Sequence, residues 1–295
     1  MTPTRGQSEV WTTRRLLAWT TTHFETKGVD SPRMAAEMLL AHVLQVKRLN
    51  LYTDLDRPAS ELERAAFRAL VERAGHHEPV DYLVGLCPFF SMMLKVNPDV
   101  LIPRPSTETL VEHVLQHQRV SPGFASPLIA DIGTGSGAIA IAIAKHLHHA
   151  RVIATDISEK ALAVAKENAT LQGVADRIDF VKGDGLAPLS GQRVAYLCSN
   201  PPYISDAEWE DVLPNVKDYE PHTALRGGSD GLQLIRQLID QARHYLNTPG
   251  QLVIEIAASQ DKAVREMVKN AKGLTNADVL ADHESLPRVL VADAV

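Results

Sequence analysis

The chain has 295 residues, of which 45% are apolar and 22% charged. That composition supports a buried core and excludes long disorder. A formal net charge of −6 speaks against a general nucleic-acid binder, which carries a basic face. The only two cysteines, Cys87 and Cys198, exclude a disulfide framework and are too few for a zinc site.

The opening MTPTRGQSEVWTTRR has no apolar h-region, so no signal peptide is expected. Residues 9–27 read as a helix. SPRMAAEMLLAHVLQV (31–46) offers Ser31 as N-cap and Pro32 at the first helical position, with Ala35, Leu39, Val43 and Val46 at helical spacing. ASELERAAFRALVERAG (59–75) is a further helix with an exposed charged face, and Gly75 is expected at C′. Over 81–103, DYLVG, FFSMMLKV and DVLIP are short runs punctuated by Gly85, Pro88 and Asn97-Pro98-Asp99. They predict a hairpin joining two domains.

From about residue 127 strand and helix patterns alternate. Strands are expected at 128–132, 151–156, 178–181, 194–199 and 251–256, with two more at 277–281 and 288–294. Helices are expected at 138–149, 159–172 (Ser158 as cap, Gly173 past the end) and 231–246. The pattern predicts an α/β, doubly wound, mostly parallel seven-stranded sheet covered by helices on both faces. The run AIAIAIA at 138–144 is too short to cross a bilayer, and a cytoplasmic protein with no membrane partner is expected. His146, His148 and His149 close a helix, where cations are favourable, and His76 and His77 read as a solvated helix end. No metal site is expected.

ADIGTGSGAIAIA sets Gly133, Thr134, Gly135, Ser136 and Gly137 between a strand and a helix. Glycine permits the tight turn and close approach of a ligand, and the helix N-terminus favours a negative group. Asp156, roughly twenty residues on, can bond both hydroxyls of a ribose. Read loosely, the loop fits a dinucleotide fingerprint. Read as Asp-x-Gly-x-Gly-x-Gly, it fits the loop that holds S-adenosylmethionine. On the loop alone both stay open. KGDGLAP (182–188) follows the third strand, and Asp184 there can accept from an adenine amino group.

SNPPYI (199–204) follows the fourth strand and breaks the tie. A primary amide or aryl amine attacks poorly because its nitrogen lone pair is delocalised. An enzyme helps by accepting hydrogen bonds from both N–H groups. The Asn200 side-chain oxygen and the Pro201 carbonyl are suitable acceptors. Pro201 and Pro202 lack N–H and have fixed φ, which keeps the loop open with its carbonyls outward. Tyr203 offers a flat face. Asn200, Pro201 and Tyr203 are therefore the expected catalytic residues, and Asn200 to Tyr203, with Pro202 between, the expected substrate clamp. Transfer then needs an in-line approach of nitrogen to a methyl on sulfur, with most of the gain from positioning.

With these residues in hand, nearly the whole chain resembles the protein-(glutamine-N5) methyltransferases that modify peptide-chain release factors. The likeness rests on PVDYLVGLCPFFSMMLKV, LIPRPSTETLVE (101–112), DIGTGSGAIAIAIA (131–144), SNPPYI and YEPHTALRGGSDGL (219–232). Asn-Pro-Pro-Tyr alone would also fit adenine-N6 methyltransferases. A sister group modifies a ribosomal-protein glutamine, and IPRPSTE favours the release-factor branch. The resemblance implies methylation of the glutamine of a Gly-Gly-Gln tripeptide in class-1 release factors. S-adenosylmethionine would be consumed and S-adenosylhomocysteine formed, with no metal and no stable nucleic-acid partner. It implies cofactor binding by Gly133 to Gly137, Asp156, Asp184, Gly185 and Asn200. Gly185 matches a cofactor-wall position that is aromatic in some relatives. Arg104, Thr107 and Glu108 would be active-site framework.

Two departures stand out: Ala257 in EIAAS, where the family usually has glycine, and a loose match in HESLPRVLVA. The expected layout is a helical substrate-recognition domain over 1–78, which would help grip the release factor. A hairpin linker over 79–103 and a methyltransferase domain over 104–295 would follow.

Overall fold

The computed structural model describes residues 10–121 and 123–295. The chain divides into two compact units, Met1–Gly85 and Leu86–Val295.

The first unit is helical: α1 (Thr13–Lys27), α2 (Pro32–Leu44), α3 (Glu61–Ala74) and the one-turn α4 (Val80–Val84). The helix expected over 9–27 starts on a residue outside the described ones. α1 begins at Thr13 because Thr12 is extended and its Oγ1 accepts from the Arg15 N–H at 3.3 Å. Pro32 opens α2, as its fixed φ favours. Ser31 holds the cap position with φ 45° and no side-chain bond. α3 carries a full capping box. Ser60 Oγ accepts from Glu63 N at 3.2 Å, and Glu63 Oε2 accepts from Ser60 N at 2.8 Å. Gly75 ends α3 at φ −65°, so it is not the left-handed C′ residue expected. Phe67, Val71 and Ala74 form the inner stripe of α3 and pack with Leu17, Phe24, Leu39 and Leu40. DYLVG is the helical turn α4 rather than part of a hairpin, and it ends at Gly85 with φ +75°.

The second unit opens with the hairpin of β1 (Leu86–Phe89) and β2 (Met92–Lys95). Its turn residues, Phe90 and Ser91, both have positive φ, the backbone that suits a two-residue hairpin. Phe90 N donates to Glu108 Oε1 at 2.7 Å. DVLIP forms no strand. Its Ile102 N–H goes to a carboxylate, Glu220 Oε2, at 3.0 Å, and so is not free for a ladder.

Next come α5 (Glu108–Val120), β3 (Leu128–Ile132), α6 (Ala138–His146), β4 (Arg151–Asp156), α7 (Glu159–Leu171) and β5 (Ile178–Lys182). They are followed by β6 (Val194–Ser199), the short α8 (Pro214–Lys217), α9 (Gln233–Tyr245), β7 (Leu246–Glu255), α10 (Asp261–Asn270), β8 (Leu274–Ala281) and β9 (Pro287–Ala294). The strand order is β5-β4-β3-β6-β7-β9-β8. β5 to β7 are parallel, and β9 runs antiparallel to both β7 and β8. The seven-stranded, mostly parallel sheet matches the expectation. α5 and α10 were not foreseen, and β7 starts five residues earlier than the expected 251.

Period-2 alternation sends Ile129, Tyr196, Cys198 and Val253 to one face of the sheet. Ala130, Leu197, Leu252 and Ile254 go to the other. The first face carries α5 and α6; the second carries α9 and α10, through Ile235, Leu238 and Val264 among others. Ala138 to Ala144 are all buried, which explains a helix that is apolar all round. Both cysteines are buried and neither is in a disulfide. Among the described residues, no helix is long and apolar enough to cross a membrane.

From β3 the chain winds outward through β4 to β5, then returns to β6 on the other side of β3. The carboxyl ends of β3 and β6 thus flank the point where the winding reverses, the place where α/β sheets open a crevice.

Candidate active site

Five strand ends meet at that crevice. β3 runs into the glycine loop, whose three glycines all have positive φ: +71° at Gly133, +55° at Gly135 and +84° at Gly137. The loop is tied from below. Thr134 N donates to Thr155 O at 2.8 Å, and Asn168 Nδ2 donates to Ser136 O at 2.9 Å. A Cβ built on Gly133 or Gly135 meets nothing within 4 Å, whereas one on Gly137 lies 2.8 Å from Ile141 Cδ1 and 3.1 Å from Ala165 Cβ. The first two glycines therefore face open space, and the third lets α6 pack on α7.

Asp156 ends β4. Its Oδ2 accepts from Gly135 N at 2.9 Å and its Oδ1 from Ser158 N at 2.8 Å. Burial holds its carboxyl above the ordinary range, against the pull of these N–H donors. Gly183 N donates to Asp156 O at 3.0 Å, which sets the 183–185 turn beside this carboxylate. Asp184 is exposed and Gly185 buried. A Cβ on Gly185 would lie 2.8 Å from Gln237 Nε2, the movable end of a flexible side chain, while its φ of +50° is backbone that favours glycine.

Asp131, one residue before the end of β3, is a group that the sequence reading passed over. It is fully buried. Its Oδ2 accepts from Thr134 Oγ1 at 2.6 Å and from Ala140 N at 3.1 Å, while its Oδ1 has no partner among the described residues. Burial pushes the carboxyl up to about 7. The signal was present as the first letter of Asp-x-Gly-x-Gly-x-Gly.

β6 ends in the Asn200–Tyr203 loop, next to β3. Asn200 is half-buried, and its Nδ2 donates to Thr107 Oγ1 at 3.0 Å. Thr107 in turn donates to Glu255 Oε2 at 2.5 Å. Ser106 Oγ donates to Glu255 Oε1 at 3.2 Å, and the Tyr203 hydroxyl reaches the same oxygen at 3.4 Å. Glu255 ends β7 and is fully buried. Burial raises its carboxyl and also raises the Tyr203 phenol. Sequence reasoning missed Glu255, because nothing near it in the chain announces partners on the other side of the sheet.

The two signature segments brace this loop. Arg104 pairs with the buried Glu220, the acid of YEPHTAL, which also holds Ile102 N. In the GGSDG stretch, a Cβ on Gly227 would lie 2.6 Å from Pro202 O, and one on Gly231 2.3 Å from Tyr203 O. Those glycines let two backbones pass closely. Gln260 Nε2 closes the bundle by donating to the carbonyls of Tyr203 and Gly231, both at 3.1 Å. Ala257 sits at φ −70°, where no glycine is needed, so that departure leaves the backbone unstrained.

A cavity of about 220 Å³ opens beside Asn200 and Tyr203, walled by Arg104, Leu101, Val216 and Leu225. A larger hollow of about 470 Å³ is lined by His117, Tyr196 and Pro249 and touches none of these groups. Among the described residues, no three His, Cys, Asp or Glu side chains group as metal ligands.

Residues 15–85 match the family described as the PrmC N-terminal domain, and residues 105–215 match the methyltransferase small domain. The chain is 43% identical over 283 residues to the release factor glutamine methyltransferase of Rhodopirellula baltica, covering 94% of this chain and 95% of that protein. The chain belongs to the release factor glutamine methyltransferase family. A second relative with that name, from Geobacter sulfurreducens, is 40% identical, with 96% of each chain covered. In fold, this methyltransferase is similar to the hMettl16 catalytic domain solved with a MAT2A 3'UTR hairpin. The TM-score is 0.54 at 15% identity, over 70% of this chain and 76% of that one. Methyltransferases of this family use S-adenosylmethionine.

Proposed function

We propose that this enzyme methylates the side-chain amide nitrogen of the glutamine in the Gly-Gly-Gln motif of class-1 release factors. The observation that carries the reading is the Asn200–Tyr203 loop at the end of β6, beside β3 and its glycine loop. It puts amide acceptors next to a cofactor cradle.

The chain's own groups fit S-adenosylmethionine. Gly133 and Gly135 face open space at the N-terminus of α6, which suits a carboxylate. The orphaned Asp131 Oδ1 suits an ammonium. Asp156 keeps lone pairs for a ribose diol, with Thr134, Ser136, Asp184, Gly185 and Asn200 completing the wall. When bound, the cofactor supplies an electrophilic methyl group on a sulfonium sulfur.

The protein's part is to hold and orient the acceptor. Asn200 Oδ1 accepts one N–H of the glutamine amide, and the Pro201 carbonyl accepts the other. The Pro201-Pro202 pair offers no competing N–H. Tyr203 keeps the amide plane against its ring face while its hydroxyl points at Glu255. The nitrogen lone pair is thus presented in line, and the amide proton leaves to water as the C–N bond forms. Positioning of this kind accounts for large rate gains without a strong base.

The test is transfer of labelled methyl from S-adenosylmethionine to a class-1 release factor and to the same factor with its Gly-Gly-Gln glutamine replaced. Label on the first alone is expected. Equal label on both would sink the assignment.

A further inference from the structure

Asn200 can serve a glutamine amide in only one of its two orientations. An N–H donor substrate needs the oxygen Oδ1 toward it. With the Nδ2 group turned to the substrate, two donors would face each other. Carboxamide oxygen and nitrogen have nearly the same shape, so sterics alone do not choose. A polar partner behind Asn200 must.

That partner is Thr107, which has one proton and a fixed use for it. Its Oγ1 lies 2.5 Å from Glu255 Oε2 and 3.0 Å from Asn200 Nδ2. An ionised carboxylate only accepts, so Thr107 must donate to Glu255. Its lone pairs then remain for Asn200, which must present N–H. The other carboxylate oxygen, Oε1, takes the hydroxyls of Ser106 and Tyr203. One fully buried acid therefore fixes both ends of the substrate loop.

We infer that Glu255 and Thr107 are positioning residues: they form a one-way hydrogen-bond relay that locks the Asn200 carboxamide with its oxygen toward the substrate amide. The inference rests on the proposed reaction for its substrate, but the relay itself is a property of the free enzyme. Glu255 and Thr107 touch no substrate atom. They set which atom of Asn200 does.

The relay also predicts an acid limit. Once protonated, Glu255 donates to Thr107, whose proton is then released to Asn200, and the carboxamide can turn over. Facing Glu255 are the Arg288 cation from β9, which favours the ionised form, and Tyr203 and the hydroxyls of Ser106 and Thr107. Burial opposes them and lifts the Glu255 carboxyl. Activity should therefore fall as pH drops through a value above the usual glutamate range.

The experiment compares wild type with Thr107→Val, Thr107→Ser and Glu255→Gln in two readouts. The first is kcat and KM for a release factor, with S-adenosylmethionine affinity measured by calorimetry. Thr107→Val should lower kcat roughly 10- to 100-fold while cofactor affinity stays within about twofold. Thr107→Ser, which keeps the hydroxyl, should recover most of the rate. Glu255→Gln should lower kcat and flatten the acidic limb of the pH profile. The second readout needs no substrate. The Asn200 side-chain NH2 signals in a ¹⁵N-asparagine-labelled enzyme are assigned by their loss in Asn200→Asp. They should shift in Thr107→Val and Glu255→Gln and titrate with Glu255 in wild type.

Asn200 signals unmoved in both variants overturn the relay, whatever the transfer assay gives. So does a Thr107→Ser enzyme as slow as Thr107→Val, which would mark a purely steric role. Signals that shift in both variants, together with a wild type that transfers nothing to a release factor, would uphold the relay and overturn the proposed reaction instead.

Discussion

Gly135→Ala and Gly137→Ala each add one methyl group to the same loop, two residues apart, yet they should fail in different ways. Both positions have positive φ, +55° and +84°. Alanine in that region costs about 1–2 kcal/mol, partly offset by about 0.4–1 kcal/mol from a less free unfolded chain. At Gly135 nothing else is added, because the new Cβ meets no atom within 4 Å. The net loss is about 1 kcal/mol, or about 2–4 °C in Tm. At Gly137 the Cβ lies 2.8 Å from Ile141 Cδ1 and 3.1 Å from Ala165 Cβ. Overpacking of that kind adds about 1–3 kcal/mol, so its Tm should drop about three times as far. Binding should rank the other way. The Gly135→Ala methyl projects into the space assigned to the cofactor, and an overlap worth about 1–3 kcal/mol weakens affinity roughly 10- to 100-fold. Scanning calorimetry and titration with S-adenosylhomocysteine measure both quantities. Unchanged affinity in Gly135→Ala would refute the cradle. A Gly137→Ala protein as stable as Gly135→Ala would refute the packing argument.

Asp131→Asn should alter the dependence of stability on pH. The folded carboxyl titrates at about 7 against 3.8 for the ordinary group, so its contribution is full below pH 3.8 and is lost as pH rises through 7. Asparagine cannot ionise, so the variant should gain on wild type over that window, by up to roughly 4 kcal/mol, while binding S-adenosylmethionine more weakly. Denaturant melts from pH 4 to 8 check this, and parallel curves for the two proteins would count against a buried acid. Glu220→Gln removes the charge that holds Arg104 and Ile102 N and should cost about 2 kcal/mol, read as a lower urea midpoint. Ser60→Ala opens the α3 capping box and should lose about 1 kcal/mol with methyl transfer chemistry untouched. A drop in kcat there would contradict its purely local role.

What the sequence discloses depends on how far apart the cooperating residues lie. β3 and β6 are apolar runs that end at or near glycine or proline, β4 is an apolar run closed by Asp156, and α7 announces itself with Ser158, whose Oγ accepts from Ala161 N at 3.2 Å. The glycine loop, Asp156 and the Asn-Pro-Pro-Tyr loop are local patterns that carry their own chemistry. DYLVG misled because five residues of mixed character suit a helical turn as well as a strand. DVLIP misled because the Glu220 carboxylate, 118 residues away, takes the Ile102 donor that a strand would use. β7 reads short because Pro249 interrupts the pattern near its start. Glu255 and the polarity of Asn200 were illegible for the same reason as the Ile102 contact: they follow from pairings across the sheet.

Those separations also order the steps by which the enzyme matures. Gly135 and Asp156 are 21 residues apart, and Thr134 and Asp131 only 3. Thr107 and Glu255 are 148 apart, and Arg104 and Glu220 116. Closing longer loops requires more chain entropy to be lost before any contact compensates for it. During synthesis, β3 and β4 emerge well before β7, so the glycine loop has its partners while Glu255 is still to be made. The polypeptide should acquire its cofactor loop before the relay that orients its amide clamp. In refolding, recovery of S-adenosylhomocysteine binding should precede recovery of methyl transfer.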